Sequence, residues 1–323
     1  MNTRRPRQPW ELPDSAVTSP DVWLKRRKLL VAMGVGLVSA SAVSWAVRTR
    51  SQTPVLSSPV ILPSAADAAY ALTPHSAFRD AGRALTDESL VLSYNNFCEF
   101  SPNKADVSTL ARGWRIDPYG LVIDGLVERP GTIGLEQVEA LGLEERVYRF
   151  RCVEAWSMTV PWGGVPLAAL LKHVGVKSNA THVAFSSVHD PARMPGQKNT
   201  FFKWPYYEGL SIAEAMNELA FVATGLYGKR LSPQNGAPLR IVLPWKYGYK
   251  GPKSVVRMTL TDQQPKTFWN DMAADEYDFL GNVDPTVPHS RWTQASESVL
   301  GSGDLIPTLP YNGYGAQVAR LYE

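Results

Sequence analysis

The chain has 323 residues, 44% hydrophobic, 20% charged and 10% aromatic, a composition that supports a buried core and excludes an intrinsically disordered chain. Its formal charge of +3 is unevenly placed: residues 1–50 carry 9 Lys/Arg against 3 Asp/Glu, leaving 24 against 27 for the remainder. The body is therefore slightly acidic, which argues against a nucleic acid partner, because binding through phosphates needs a basic surface.

Residues 1–24 are rich in Pro, Arg and Ser and show no helical period. Lys25-Arg26-Arg27-Lys28 then precede a moderately apolar run from Leu29 to Val47, diluted by Gly34, Gly36, Ser39, Ser41 and Ser44. Paired arginines before a weakly apolar segment resemble a twin-arginine export signal, so residues 1–50 read as a signal region. An uncleaved anchor is the less favoured reading, since a span needs about 20 predominantly apolar residues. Cleavage near Ala42, Ala46 or Ala68 is compatible with the sequence, and 51–84 reads as a linker or mature N-terminal extension. Such signals export folded proteins, typically ones that acquire a cofactor first, so a cofactor site is expected downstream.

From about residue 85 to 323 there is no linker, low-complexity tract or solenoid repeat, and one domain is expected. Apolar and β-branched runs predict strands at Leu121–Val127, Val147–Val153, His182–Val188, Leu239–Leu243 and Ser254–Leu260. Leu135–Leu141 and Pro166–Val174 have helical spacing, and Ser211 with Glu214 forms a capping box opening a short helix. The fold class is α+β, mixed and sheet-rich. The 25 prolines and 24 glycines predict long loops, where functional residues tend to lie. There is no strict βαβ alternation and no GxGxxG after a strand, so a Rossmann or P-loop enzyme is not supported.

Two cysteines exist, Cys98 and Cys152, and an even count in an exported protein first suggests a disulfide. Against this, Cys152 closes the strand Arg149-Phe150-Arg151-Cys152, with Glu154 two residues on. The neighbouring arginines suggest an electropositive setting that favours thiolate, the ligand form. The histidines, at 75, 173, 182, 189 and 289, lack zinc-site spacing and default to ordinary surface or core residues.

Four segments, Tyr94-Asn95-Asn96-Phe97, Arg151 to Trp162, Pro233-Gln234-Asn235-Gly236-Ala237-Pro238 and Pro244-Trp245-Lys246-Tyr247-Gly248-Tyr249-Lys250-Gly251, occur with Met194-Pro195-Gly196-Gln197 and Asn312-Gly313-Tyr314. In this order they resemble the periplasmic protein-methionine-sulfoxide reductase catalytic subunits. The resemblance runs from about residue 85 to the end. It implies a single domain of the sulfite-oxidase molybdopterin-binding type and a Mo-molybdopterin cofactor, with one molybdenum and a pterin bearing a single phosphate. It also implies export to the periplasm by the twin-arginine translocation machinery, oxidised periplasmic proteins as substrates, and a haem-containing membrane subunit as electron donor.

By residue-wise match the resemblance makes Cys152 the metal-ligating cysteinate, a soft donor suited to molybdenum. It places cofactor contacts at Asn95, Cys98, Glu99, Ser187, Asn235, Arg240, Gly251, Pro252 and Lys253. Arg240 and Lys253 would neutralise the phosphate, and Gly251 would let backbone approach closely. For Lys246, Lys250 and Lys253 a solvated charged edge is the alternative, and for Asn235-Gly236 an ordinary turn. The family usually carries tyrosine at position 98 and threonine at 187; serine keeps the hydroxyl, whereas cysteine loses the ring. Metal loading before export would cap Cys152, so Cys98 is expected to stay a free thiol.

Glu154 is a candidate for catalytic proton handling, with pairing to Arg149 or Arg151 as the alternative. Trp156, Trp162, Trp204 and Trp245 either wall an apolar substrate site or pack the core. A thiol hydrolase would need a histidine base near Cys152, and a periplasmic binding module would leave the conjunction of motifs unexplained. Within the molybdenum reading, the alternative is a sulfite-oxidase-like oxidoreductase acting on sulfite or another small S- or N-oxide.

Overall fold

In the computed structural model, Tyr70 and residues 72–323 are described; the expected signal region, its cleavage sites and most of the linker lie outside them. The strands are β1 Thr73–Pro74, β2 Leu121–Gly125, β3 Gly131–Ile133, β4 Glu144–Cys152, β5 Trp156–Pro166, β6 His182–Ser187 and β7 Tyr207–Ser211. They continue with β8 Phe221–Leu226, β9 Lys229–Arg230, β10 Arg240–Val242, β11 Val255–Thr261, β12 Ser296–Val299 and β13 Leu305–Pro307. Eight of them form one sheet in the order β1-β4-β5-β12-β13, with β8 also pairing β5 and carrying β9 and β10. The other five form a second sheet, β3-β2-β11-β6-β7. The expected α+β, sheet-rich fold is what the chain adopts.

The five predicted strands are found at β2, β4, β6, β10 and β11. The helix predicted from Pro166 is Leu167–Val174. It buries Leu167, Leu170, Leu171 and Val174, the i, i+3, i+4, i+7 stripe of an amphipathic helix, and ends at Gly175 with φ 73. Each such buried aliphatic side chain contributes roughly 1.5–3 kcal/mol. Ser211 Oγ accepts from Glu214 N at 3.2 Å and Glu214 Oε2 accepts from Ser211 N at 2.9 Å, the expected capping box.

Packed structure begins upstream of position 85. Strand β1 pairs in parallel with β4, and buried Tyr70 shares a 2.9 Å hydrogen bond between its Oη and Thr224 Oγ1. Where it is described, the segment before residue 85 thus lies on the sheet. Strand β5 is the sheet's longest and was not predicted. Gly163 and Gly164 suit it because added Cβ atoms would fall 2.6 Å from Tyr70 Oη and 2.1 Å from Val222 O. At this point the β5–β8 register shifts.

Candidate functional site

Cys152 ends β4, and the chain reverses through Ala155, at φ 60, into β5, so that Cys152 faces Trp156 across the hairpin. Strand alternation decides what the neighbouring arginines do. Arg151 points away from the sulfur into a fully buried site. Its Nε donates to Glu297 Oε2 at 2.9 Å and its Nη2 to Gln294 Oε1 at 2.9 Å, and Nη1 holds the Cys152 carbonyl. Arg149 Nε donates to Ala81 O at 2.6 Å.

The arginines therefore do not supply the electropositive setting expected for Cys152, and the charge of Lys104 supports its thiolate only weakly. Burial, and then the Glu154 carboxylate, push the Cys152 thiol up to about 11, against weaker support from donors. Those donors are the Asn96 amide, 3.2 Å from Sγ, and the Glu154 N–H at 3.4 Å. A bound cation would reverse this balance, because a coordinating thiol loses its proton to the metal. Cys98 and Cys152 are both free thiols.

Glu154 pairs with neither arginine. Lys104 Nζ lies 2.7 Å from its Oε2 and Asn96 Nδ2 donates to the same oxygen at 2.9 Å. Although burial opposes ionisation, these two partners hold the carboxyl below its ordinary value. Asn96 and Lys104 are site residues that sequence reasoning missed; they reach Cys152 and Glu154 only through long-range folding, although Asn96 lies inside the Tyr94-Asn95-Asn96-Phe97 motif.

Beside this hairpin the expected cofactor contacts form a connected group. The side-chain amides of Asn95 and Asn235 both donate to Val91 O, at 2.9 and 3.0 Å, and Arg240 Nη1 donates to Asn235 O at 3.1 Å. Ser187 ends β6, opposite Val255, one residue past Ser254. The stem of Lys253 lies against Gly236, where an added Cβ would fall 2.8 Å from Lys253 Cβ. Its Nζ sits 5.0 Å from the Phe97 ring centre. The Cys98 thiol lies 3.4 Å from Glu99 Oε2. Pro252 O accepts from Ile241 N at 3.0 Å. Gly251 serves the protein's own packing, since an added Cβ would fall 2.5 Å from Ile241 O.

Polar groups in this group lack partners. Asn95 Oδ1, Ser187 Oγ, Arg240 Nε and Arg240 Nη2 are buried without a hydrogen bond, a costly arrangement in a folded core. Burial lowers Arg240 to about 10. Burial and the neighbouring Arg240 also lower Lys253, with Glu99, Cys98 and Cys152 acting in the opposite direction. Unmet donors on Arg240 with the neighbouring cation Lys253, an unmet acceptor and an unmet hydroxyl fit a phosphate-bearing heterocycle. Among the described residues no cluster of three or more His, Cys, Asp or Glu is placed to hold a metal ion. A metal held by Cys152 would thus need further donors from a bound group.

The solvated-edge alternative for the lysines fails for Lys246 and Lys250. Lys246 Nζ meets Glu214 Oε1 at 2.5 Å and Lys250 Nζ meets Glu208 Oε2 at 2.5 Å, all four side chains being buried. Trp162 and Trp245 are fully buried and belong to the core. Trp204 packs on Phe202 and Phe268, and Trp156 stands edge-on to Tyr94. On the far side of Val153 lies a cavity of about 420 Å³, walled by Tyr247, Tyr249 and Val283 and edged by acidic residues.

Residues 109–269 match the oxidoreductase molybdopterin binding domain, a stretch that includes Cys152, Ser187, Asn235, Arg240 and Lys253. The chain is 45% identical to the protein-methionine-sulfoxide reductase catalytic subunit MsrP of Gluconobacter oxydans (strain 621H), over 98% of this chain and 96% of that protein. Among solved structures, the sulfane dehydrogenase SoxCD of Paracoccus pantotrophus aligns with a TM-score of 0.41 at 17% identity, covering 67% of this chain and 57% of that one. The chain belongs to the protein-methionine-sulfoxide reductase catalytic subunit family, whose molybdopterin-binding oxidoreductase domain it carries.

Proposed function

We propose that this chain is a molybdenum-dependent reductase that removes oxygen from methionine sulfoxide residues of periplasmic proteins, after twin-arginine export and with electrons from a haem-bearing membrane subunit. The observation that carries the reading is the set of unsatisfied buried polar atoms on Asn95, Ser187 and Arg240 in the region of the buried Cys152 thiol. The chemistry a bound Mo-molybdopterin supplies is oxygen-atom transfer, in which sulfoxide, two electrons and two protons give thioether and water.

The protein's part is placement. Cys152 would hold the metal, with the Asn96 amide and Glu154 N–H donating to its sulfur. Arg240 and Lys253 would neutralise the pterin phosphate, and Asn95, Ser187 and Asn235 would meet polar edges, with Cys98, Glu99, Gly251 and Pro252 framing them. Lys104 Nζ holds a proton 2.7 Å from Glu154 Oε2, and Glu154 would accept and pass protons beside the Cys152 sulfur, 3.8 Å from that oxygen.

The test is metal analysis joined to turnover. Protein isolated from molybdenum-replete cells should contain molybdenum and pterin, and should reduce methionine sulfoxide with a reduced dye as donor. Sulfite oxidation without sulfoxide reduction, or full activity in metal-free protein, would contradict the reading.

A further inference from the structure

The cavity beyond Val153 has a charge that the placement of a cofactor does not explain. Its edge carries Asp275, Glu276, Asp278 and Asp284. Glu276 Oε2 is met by Arg291 Nη2 at 2.9 Å. The other three have no ion-pair partner among the described residues; two of them cap turns, Asp278 Oδ1 accepting from Gly281 N at 2.6 Å and Asp284 Oδ1 from Thr286 N at 2.8 Å.

His289 also lines the cavity. It is 8% exposed, and its Nε2 lacks a well-directed hydrogen bond although Glu276 Oε2 stands 3.3 Å away. The His289 ring stacks on Trp292 at 3.9 Å, and Trp292 Nε1 donates to Val153 O at 2.7 Å. This wall is therefore tied to the residue following Cys152. An apolar floor with a convergent polar rim, and a volume within the ~300–1,000 Å³ of ligand clefts, describes a binding site.

We propose that this cavity seats the polypeptide flanking the oxidised methionine, and that its carboxylate rim selects segments carrying Lys or Arg near the sulfoxide over those carrying Asp or Glu. The inference rests on the reductase reading and names its substrate class. A concave cleft of one sign concentrates its field and favours the complementary ligand, an effect that salt weakens. Discrimination therefore belongs in binding, and kcat should differ little between substrates.

The experiment uses three peptides, each with one central methionine sulfoxide, flanked by Lys, by Ser or by Glu. Binding to the cofactor-loaded protein is read by fluorescence anisotropy of the labelled peptides, and turnover is followed with a reduced dye. At low salt the Lys peptide should bind about tenfold more tightly than the Glu peptide and show a correspondingly lower KM. The gap should narrow at high salt and in D275N/D278N/D284N protein, where asparagine keeps the turn-capping oxygens at 278 and 284. Equal affinities in the unaltered protein, or a gap unaffected by salt and by the triple substitution, would overturn the inference. Charge-ordered binding without turnover of any peptide would support the cavity's selectivity and overturn the reductase reading alone.

Discussion

Arg240 carries the residue-scale argument for the proposed cofactor site. Its Nη1 is used by Asn235 O, while Nε and Nη2 are buried without partners. Removing the two unmet donors offsets the loss of the single Nη1 bond to Asn235 O, whereas removing a partner from a charged ligand has no such offset. Arg240→Met should therefore change the stability of cofactor-free protein by only about 1 kcal/mol while sharply lowering pterin content. Denaturant melts of the apo form and pterin analysis of the isolated protein check this, and a variant that keeps its pterin would contradict it. Cys98 offers a second residue-scale test. Burial, and then Glu99, raise its thiol well above the ordinary value, so it should alkylate with iodoacetamide far more slowly at pH 8 than free cysteine.

At the scale of elements, the β4–β5 hairpin holds Cys152 in place, and it rests on the buried Arg151–Glu297 pair. Glu297 also receives Arg83 Nη1 at 2.6 Å and Thr308 Oγ1 at 3.0 Å. Glu297→Ala leaves Arg151 uncompensated and should cost about 3–5 kcal/mol, seen as a fall of roughly 10 °C in the melting temperature. Burial opposes ionisation of Glu297, but Arg83 and Arg151 outweigh it and hold the carboxyl below its ordinary 4.5. A depressed carboxyl stabilises the fold above its unfolded value and loses that contribution as pH falls through the folded one. The acid limb below pH 4.5 should thus be shallower in Glu297→Gln than in the unaltered protein, as measured by melts from pH 3 to 6.

The elements also show why some structure was readable and some was not. Strand β4 was legible because apolar residues recur along Val147–Val153, and Leu167–Val174 because its aliphatics follow helical spacing. Strand β5 was hidden by Pro161, Gly163, Gly164 and Pro166, ordinarily turn residues, which here serve close packing against Tyr70 and Val222. Strand β8 is buried throughout, Thr224 and Gly225 included, and a strand buried on both faces has no period to separate it from a buried helix. The misread environment of Cys152 came from counting arginines nearby in sequence without applying strand alternation, which sends 149 and 151 to the opposite face from 152. Asn96 and Lys104 sit 56 and 48 residues before Cys152, and only tertiary structure unites them with the sulfur.

At the scale of the whole molecule, the expected cofactor contacts come from both sheets and the loops joining them. Ser187 lies on the five-stranded sheet, and Arg240 and Cys152 on the eight-stranded one. A group bound across them links the two sheets and stabilises only the folded state. Loaded protein should melt higher than cofactor-free protein, by an amount equivalent to about 4 kcal/mol if binding sites are filled at 1,000 times the dissociation constant.

The measurement closest to the central claim is the molybdenum and pterin content of unaltered and Cys152→Ser protein, prepared in parallel from molybdenum-replete cells. The predicted result is about one molybdenum per unaltered chain, with the metal lost from the serine variant while its fold, followed by circular dichroism, is retained. Equal molybdenum in both proteins, or active unaltered protein that contains no molybdenum and has Cys152 bridged to Cys98, would contradict it.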